Sequence, residues 1–442
     1  MIDLYSVVSR VSPTKEEEDR IREVTDLAVG RLNAYLRENN INAVPAVVGS
    51  SSRNTNLVHS LRSSDVDIFL VFPRDARMED LKKFGLAAGH HILPEGVEKY
   101  AEHPYVNGFI NGIKVDIVPC YAMDKGERKI SAVDRTVLHD KYLKSVLTDD
   151  LRKEIRLFKA FLISAGVYGS EVSKAGFSGL VSELIIVRLG SFLGAVQYFS
   201  SRRGNIAIPE SDKGIHGFHS PLVVMDPVDD TRNAAAAVST ENMARLKMQC
   251  RLFVKNPSES FFFRNKREPV DWRSASDRGT HFRVIEIPRP DEVDDVIYPQ
   301  ANRFRNVVFD YLERAGFLPV SSGIEIGNEV LVLIETERKL LPLVERHTGP
   351  PVDSPNSMDF IEKWTSSPDR LRGPYIEGDR LMVERVRALR DLDEAIINCV
   401  KVTGIGKHLD PLKEDLKMHD PVKVMRFDEL MNQYMSRGIM DS

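Results

Sequence analysis

Cysteine and tryptophan are scarce in this chain, with three Cys and two Trp in 442 residues. Cys120, Cys250 and Cys399 lie far apart and form no CxxC pair, which excludes a disulfide framework and a zinc knuckle and leaves free thiols. No apolar run approaches the roughly 18 residues of a membrane-spanning helix. The stretch from Met1 to Arg20 also lacks the basic-then-apolar layout of a secretory leader. A cytoplasmic protein with no membrane partner is therefore expected. Nor is there an excess of one charge. The 61 basic and 65 acidic residues give a formal net charge of −4, so any nucleic-acid partner requires a local basic patch rather than a uniformly basic coat. Repeats and low-complexity segments are absent too. What remains is ordinary globular composition, 42% hydrophobic and 29% charged, in a chain too long for one core, so two to four domains are expected.

Periodicity organises the chain. Thr14 to Glu17 spells a capping box, and Ile21, Val24, Ala28, Leu32 and Tyr35 then recur at helical spacing up to Asn39 and Asn40. Ala43 to Val48 reads as a short strand and Val66 to Phe72 as a fully buried one. Val106 to Ile110 and Ile113 to Val118 read as a hairpin turned by Asn111-Gly112. From Leu151 to Leu193 the pattern is helical, interrupted by a glycine-bearing stretch from Gly166 to Gly179. Arg202 to Asp230 reads as an irregular connection, and Asn242 to Val254 as a helix. A strand (His281 to Ile287), a helix (Asn302 to Ala315) and a strand (Glu329 to Glu335) suggest a separate α+β domain, followed by Pro-containing connections and charged helices such as Leu381 to Val400. One basic stretch, Arg245 to Arg273, flanks Phe261, Phe262 and Phe263. It suits phosphates and stacked bases, or is a solvated helix face followed by a buried Phe-containing strand.

The chemistry concentrates in Gly49-Ser50, a spacer of 14 residues, and Ser64-Asp65-Val66-Asp67-Ile68-Phe69-Leu70. On a strand, residues two apart share a face, so Asp65 and Asp67 project together at one exposed edge while Val66 and Ile68 turn inward. Two such carboxylates repel unless a cation sits between them, and hard oxygen ligands favour Mg²⁺ or Mn²⁺ over zinc. A third acid, Asp116, lies among β-branched residues in Lys114-Val115-Asp116-Ile117-Val118 and completes a two-metal site. Such a site activates a 3′-hydroxyl and stabilises a departing pyrophosphate, which is nucleotidyl transfer. Gly49 lets the backbone approach phosphate, Ser50 donates to it, and Arg53 lies within reach of the same triphosphate. Taken singly, a Gly-Ser pair is a turn and DxD a charged loop; their order on apolar strands is what carries the functional reading.

Gly-Ser, the DhDh pair and a distant third carboxylate resemble the nucleotidyltransferase superfamily of DNA polymerase beta, poly(A) polymerases and CCA-adding enzymes. The spacer is slightly longer than the usual pattern. Further stretches are similar to the archaeal-type, class I CCA-adding tRNA nucleotidyltransferases: Arg53-Asn54-Thr55, Tyr100 to Tyr105, Val115 to Tyr121, Ser131 to Thr136, Gly176 to Gly179, Asp226 to Asp230 with Arg232-Asn233, and Val293 to Asp295 with Tyr298 to Gln300. This resemblance spans residues 45 to 315. It implies a multidomain α+β protein: a catalytic palm of small sheet and helices over 1–145, a helical nucleotide-recognition domain over 146–275, and an α+β RNA-binding body and tail over 276–442.

By the same resemblance, Asp65, Asp67 and Asp116 hold Mg²⁺, or Mn²⁺, and carry catalysis. Asp65 stands where relatives can have Glu. Ser50, Arg53, Thr136, His139, Lys159, Tyr168 and Arg232 bind the nucleotide, and Val172 occupies a pocket position where a tyrosine is expected. Without the family, His139 reads as a helix-face histidine, Lys159 as a surface lysine and Tyr168 as a core aromatic. The implied activity is template-independent addition and repair of the CCA 3′ end of tRNA from CTP and ATP, with tRNA as partner and a homodimer as the expected assembly. A poly(A) polymerase or an oligonucleotide or second-messenger synthase would share every core acid, whereas a non-enzymatic RNA-binding protein would need a damaged triad.

Overall fold

A computed structural model describes residues 2–100, 103–124, 127, 130–209, 217–263 and 278–435. The chain divides into two compact units, Met1–Lys266 and Arg267–Asp441.

The first unit begins with α1 (Leu4–Val11) and α2 (Lys15–Glu38), the latter opened by the expected capping box between Thr14 and Glu17 and ended at Asn39. Next come β1 (Val44–Val48), the short α3 (Gly49–Arg53), β2 (Asp65–Phe72), α4 (Met78–Ile92), β3 (Val97–Tyr100), β4 (Pro104–Ile110) and β5 (Ile113–Tyr121). The five strands form one sheet in the order β1-β2-β5-β4-β3, in which only β2 and β5 run parallel. Asn111 (φ 49°) and Gly112 (φ 76°) turn the β4–β5 hairpin as expected, because both positions need the left-handed conformation that Asn and Gly tolerate.

Alternation sorts β2 into two faces. Val66, Ile68, Leu70 and Phe72 join Val24, Ala28 and Leu32 of α2 and Leu81, Ala88 and Ile92 of α4 in one core. Burying each such side chain contributes about 1.5–3 kcal/mol, which also pins the register, since a one-residue slip would drive Asp65 and Asp67 into that core. On the opposite face Phe69 packs with Val48, Val118 and Cys120.

A helical region follows: α5 (Arg135–Val146), α6 (Asp149–Ser164), α7 (Gly179–Leu189), α8 (Phe192–Ser201), the short parallel pair β6 (Ile206–Ile208) and β7 (Leu222–Val224), and α9 (Thr240–Lys255). It has its own hydrophobic core, in which Phe161, Phe192, Phe253 and Phe262 pack with ring centroids 5.2–6.0 Å apart. Phe262 is 1% exposed and follows a short 3₁₀ turn, Glu259–Phe261, so it is neither a stacking platform nor part of a strand. The basic residues from Arg264 to Arg273 lie outside the described residues, as do Ala101 and Glu102. All three cysteines are buried free thiols, with burial pushing Cys120 up to about 12.

The second unit contains two sheets. β8 (His281–Pro288), α10 (Asp294–Ala315), β9 (Pro319–Ile326) and β10 (Glu329–Thr336) precede β11 (Val344–Pro351), α11 (Ser357–Ser366), β12 (Arg370–Glu377), β13 (Arg380–Val386), α12 (Leu392–Val402), β14 (Lys417–His419) and α13 (Asp428–Met435). The strand orders are β14-β8-β10-β9 and β11-β13-β12. Two expectations are corrected. The helix expected at Asn302 begins at Asp294 and runs through Pro299, because Ile297, Ala301, Phe304, Val308 and Leu312 form one buried stripe that outweighs the missing N–H. The segment Leu381 to Val400 is not one helix. Leu381, Met382 and Val383 are buried in β13, which pairs with β12 across a turn holding Gly378 at φ 60°, and helix resumes only at Leu392. Among the described residues no single helix is long and apolar enough to cross a membrane.

Candidate active site

Strand register assembles the acidic cluster. The parallel pairing of β2 and β5 sets Asp67 beside Asp116, and the antiparallel β4–β5 pairing sets Asn107 beside Asp116. Carboxylate oxygens of Asp65, Asp67 and Asp116 consequently lie within 4.8 Å of one another. Asn107 donates its side-chain amide to Asp116. Lys114, two residues earlier on the same strand face, places its ammonium 3.2 Å from Asp116 and 3.9 Å from Asp65. Asp65 and Asp67 are half-buried at the edge the strand pattern suggests, the Asp65 side chain 38% exposed, while Asp116 is buried at 8%.

Three carboxylates against one nearby lysine leave a net negative charge. Burial, followed by repulsion from Asp65 and Asp116, pushes the Asp67 carboxyl up to about 7, against the opposing pull of Lys114 and Arg53. A triad of hard oxygen donors that repel one another to this extent fits a divalent cation, so these residues could hold a metal.

The backbone of α3 closes on the same cluster. Gly49 sits at φ 86°, and a Cβ built there would meet Asp67 Oδ2 at 2.3 Å. Both the conformation and the close approach demand glycine. Ser51 donates its hydroxyl to the Asp65 carbonyl, fastening the start of β2 to this helix.

Behind α3 lies a second ionic group of different character. Arg53, 8% exposed, donates Nε to Glu183 Oε2 at 2.9 Å and Nη1 to Asp140 Oδ1 at 2.8 Å. Lys159, 1% exposed on α6, donates to Glu183 Oε1 at 2.7 Å and to Thr55. It is therefore not a surface lysine. Burial opposes ionisation of Glu183, but Lys159 and Arg53 outweigh it and hold the carboxyl below its usual range.

The remaining predicted residues fall into two places. Ser50, Asp65, Lys159 and the half-buried Tyr168 line one crevice together with Arg62. His139 and Arg232 meet elsewhere through Asp226: His139 Nε2 lies 2.8 Å from Asp226 Oδ1, and Arg232 Nη1 donates to Oδ2 at 2.7 Å. Burial would raise the Asp226 carboxyl, but the hydrogen bond and charge of His139, the Val228 N–H and Arg232 bring it down to about 2. One turn apart on α5, Arg135 ties to Asp229 at 2.6 Å and Thr136 is half-buried. Helix α5 thus links the loop 226–232, through Arg135 and His139, to α3, through Asp140. Val172 is exposed.

Sequence reasoning missed Lys114, Asn107, Asp140 and Glu183. Lys114 was findable, because it shares the strand face of Asp116 two residues away; Asn107 follows from the hairpin register. Glu183 left a subtler signal, a single acid within Leu180-Val181-Ser182-Glu183-Leu184-Ile185-Ile186.

Comparison with known proteins identifies the family. Residues 29–139 match the family model of a nucleotidyltransferase domain, 153–263 that of the second domain of tRNA nucleotidyltransferase, and 278–419 that of the C-terminal domain of CCA-adding enzymes. A CCA-adding enzyme of Picrophilus torridus is 44% identical over 95% of each chain. Those of Thermoplasma volcanium and Haloarcula marismortui are 40% and 34% identical, over 97% and 92% of this chain and 94% and 91% of theirs. Relatedness at this level along nearly the whole length makes the chain a member of the CCA-adding enzyme family, a tRNA nucleotidyltransferase.

Proposed function

We propose that this enzyme adds and repairs the CCA 3′ end of tRNA without a nucleic-acid template, using CTP and ATP. The observation that carries the proposal is the under-compensated triad of Asp65, Asp67 and Asp116 against the backbone of Gly49, in a chain that matches a CCA-adding enzyme over 95% of its length. The 3′-hydroxyl oxygen of the tRNA forms a bond to the α-phosphorus of CTP, twice, and then of ATP; the bond to the β-phosphate oxygen breaks and pyrophosphate leaves. Mg²⁺, or Mn²⁺, held by the three aspartates would supply charge neutralisation and lower the hydroxyl pKa.

The chain's own residues do the rest. Gly49 and Ser50 offer backbone and hydroxyl donors to the phosphates. Asn107 fixes the Asp116 carboxylate, and Lys114 occupies the triad as a counter-charge that a metal would displace. Ser50, Lys159 and Tyr168 border the crevice beside Asp65, which suits the sugar and phosphates, while Thr136, His139 and Arg232 lie on α5 and the loop it anchors, suited to the base. Arg53 serves best as a brace that positions α3, since both ends of its guanidinium are held by buried carboxylates. Residues 1–145 form the catalytic palm, 146–275 the nucleotide-reading part, and 276–442 the RNA-binding body and tail. A cytoplasmic homodimer is the assembly that accompanies this reading.

Extension of tRNA transcripts ending at the discriminator, at C or at CC tests the proposal. Growth to CCA and then arrest, lost in Asp65→Ala and Asp116→Ala, is expected. Unlimited A-tailing, or synthesis only without tRNA, would transfer the chain to the poly(A) or second-messenger activities.

A further inference from the structure

A nucleoside triphosphate brings several negative charges to a crevice whose acids already repel it, so the cations available to it matter. The two buried ones are committed. Arg53 bonds Asp140 and Glu183, and Lys159 bonds Glu183 at 2.7 Å.

Arg62 is different. It lies in the spacer between Gly49-Ser50 and Asp65, exposed to solvent, and borders the same crevice as Ser50, Asp65, Lys159 and Tyr168. Its guanidinium sits over the Tyr168 ring, 4.9 Å from the centroid, and makes no ion pair with any described carboxylate. Stacking on an aromatic face fixes the plane of the group while leaving its in-plane N–H donors free for phosphate oxygens. A neighbouring crevice shares Arg62 and Tyr168 and adds Lys174, extending the positive side of this wall.

We propose that Arg62, held flat on Tyr168, is a binding residue for the β- and γ-phosphates of the incoming nucleotide and for the pyrophosphate that leaves. The assignment rests on the nucleotidyl-transfer reading above. Because it contacts phosphates common to both substrates, Arg62 supports CTP and ATP alike and does not choose between them.

Arg62→Gln and Arg62→Lys test this in the full-length enzyme. The expected result for Arg62→Gln is a KM for CTP and for ATP raised by about three- to tenfold, with matching loss of inhibition by added pyrophosphate. The KM for tRNA and the melting temperature should stay unchanged, and Arg62→Lys should recover part of the loss. A rise confined to the tRNA KM would assign Arg62 to the RNA backbone instead and overturn the proposal, as would unchanged constants throughout. Equilibrium binding of CTP in the absence of tRNA separates the two readings. If the wild type binds CTP but lengthens no tRNA, the proposed activity fails, while the CTP affinity of Arg62→Gln still judges Arg62.

Discussion

Two ionic clusters lie on either side of α3, and they are built oppositely. On the sheet side Asp65, Asp67 and Asp116 face a single lysine, and one carboxyl is pushed up to about 7. On the helical side Arg53, Lys159 and Lys144 between them pair Asp140 and Glu183, so no carboxylate there lacks a cation, and Glu183 is held below its usual range. The under-compensated cluster could hold a cation, whereas in the other every buried carboxylate already has its counter-charge. Burial differs as well, since the side chains of Asp65 and Lys114 are 38% and 37% exposed whereas Arg53, Lys159, Asp140 and Glu183 are all buried.

The contrast can be broken or sharpened by substitution. Its largest test is Asp65→Ala or Asp116→Ala, each expected to lower nucleotide addition by about a hundred- to a thousandfold or more while leaving the fold intact, read by primer extension and circular dichroism. Unfolding instead of inactivation would put the triad among the structural groups. Glu183→Gln should do the reverse, destabilising the protein by roughly 3–5 kcal/mol in denaturant unfolding, because Arg53 and Lys159 lose a buried counter-charge. Undiminished stability with a raised nucleotide KM would show that the balanced cluster belongs to the site.

Smaller effects follow from the unbalanced side. Lys114→Met removes the cation that competes for the carboxylates, so Mn²⁺ should bind about two- to fivefold tighter in a direct titration; weaker binding would mean that Lys114 organises the triad rather than occupying it. The smallest effect is thermal. Asp67 titrates near 7 in the metal-free fold but near 3.8 when unfolded, so the unfolded state releases its proton first and stability falls as pH rises from about 4 to 7. Without metal, Asp67→Asn should melt about 2–4 °C above the wild type at pH 8 and level with it at pH 4. Equal melting at both pH values would show that Asp67 is not penalised by its neighbours.

Much of the five-stranded sheet and its helices was legible because its signals are local. The capping box at Thr14, the Asn111-Gly112 turn and the alternation of Asp65 and Asp67 with Val66 and Ile68 each act within a few residues. The misread segments are those where local signals conflicted with packing. The helix read from Asn302 starts at Asp294, because a buried stripe carries it through Pro299, and the charged run after Leu381 concealed a strand whose partner is set by a turn at Gly378. Phe262 looked equally suited to stacking a base or filling a core, and only its three aromatic neighbours decided between them.

The amino-acid order by itself determined which carboxylates share a strand face, where the glycine must stand, and which family the chain resembles, because strand period and turn chemistry are properties of neighbouring residues. Only the tertiary structure decided that Arg53 and Lys159 are internally paired and that Arg62 stacks on Tyr168 and pairs with no described carboxylate. Those outcomes depend on Asp140 and Glu183, 87 and 130 residues from Arg53, and no local rule measures the distance between charges brought together by packing.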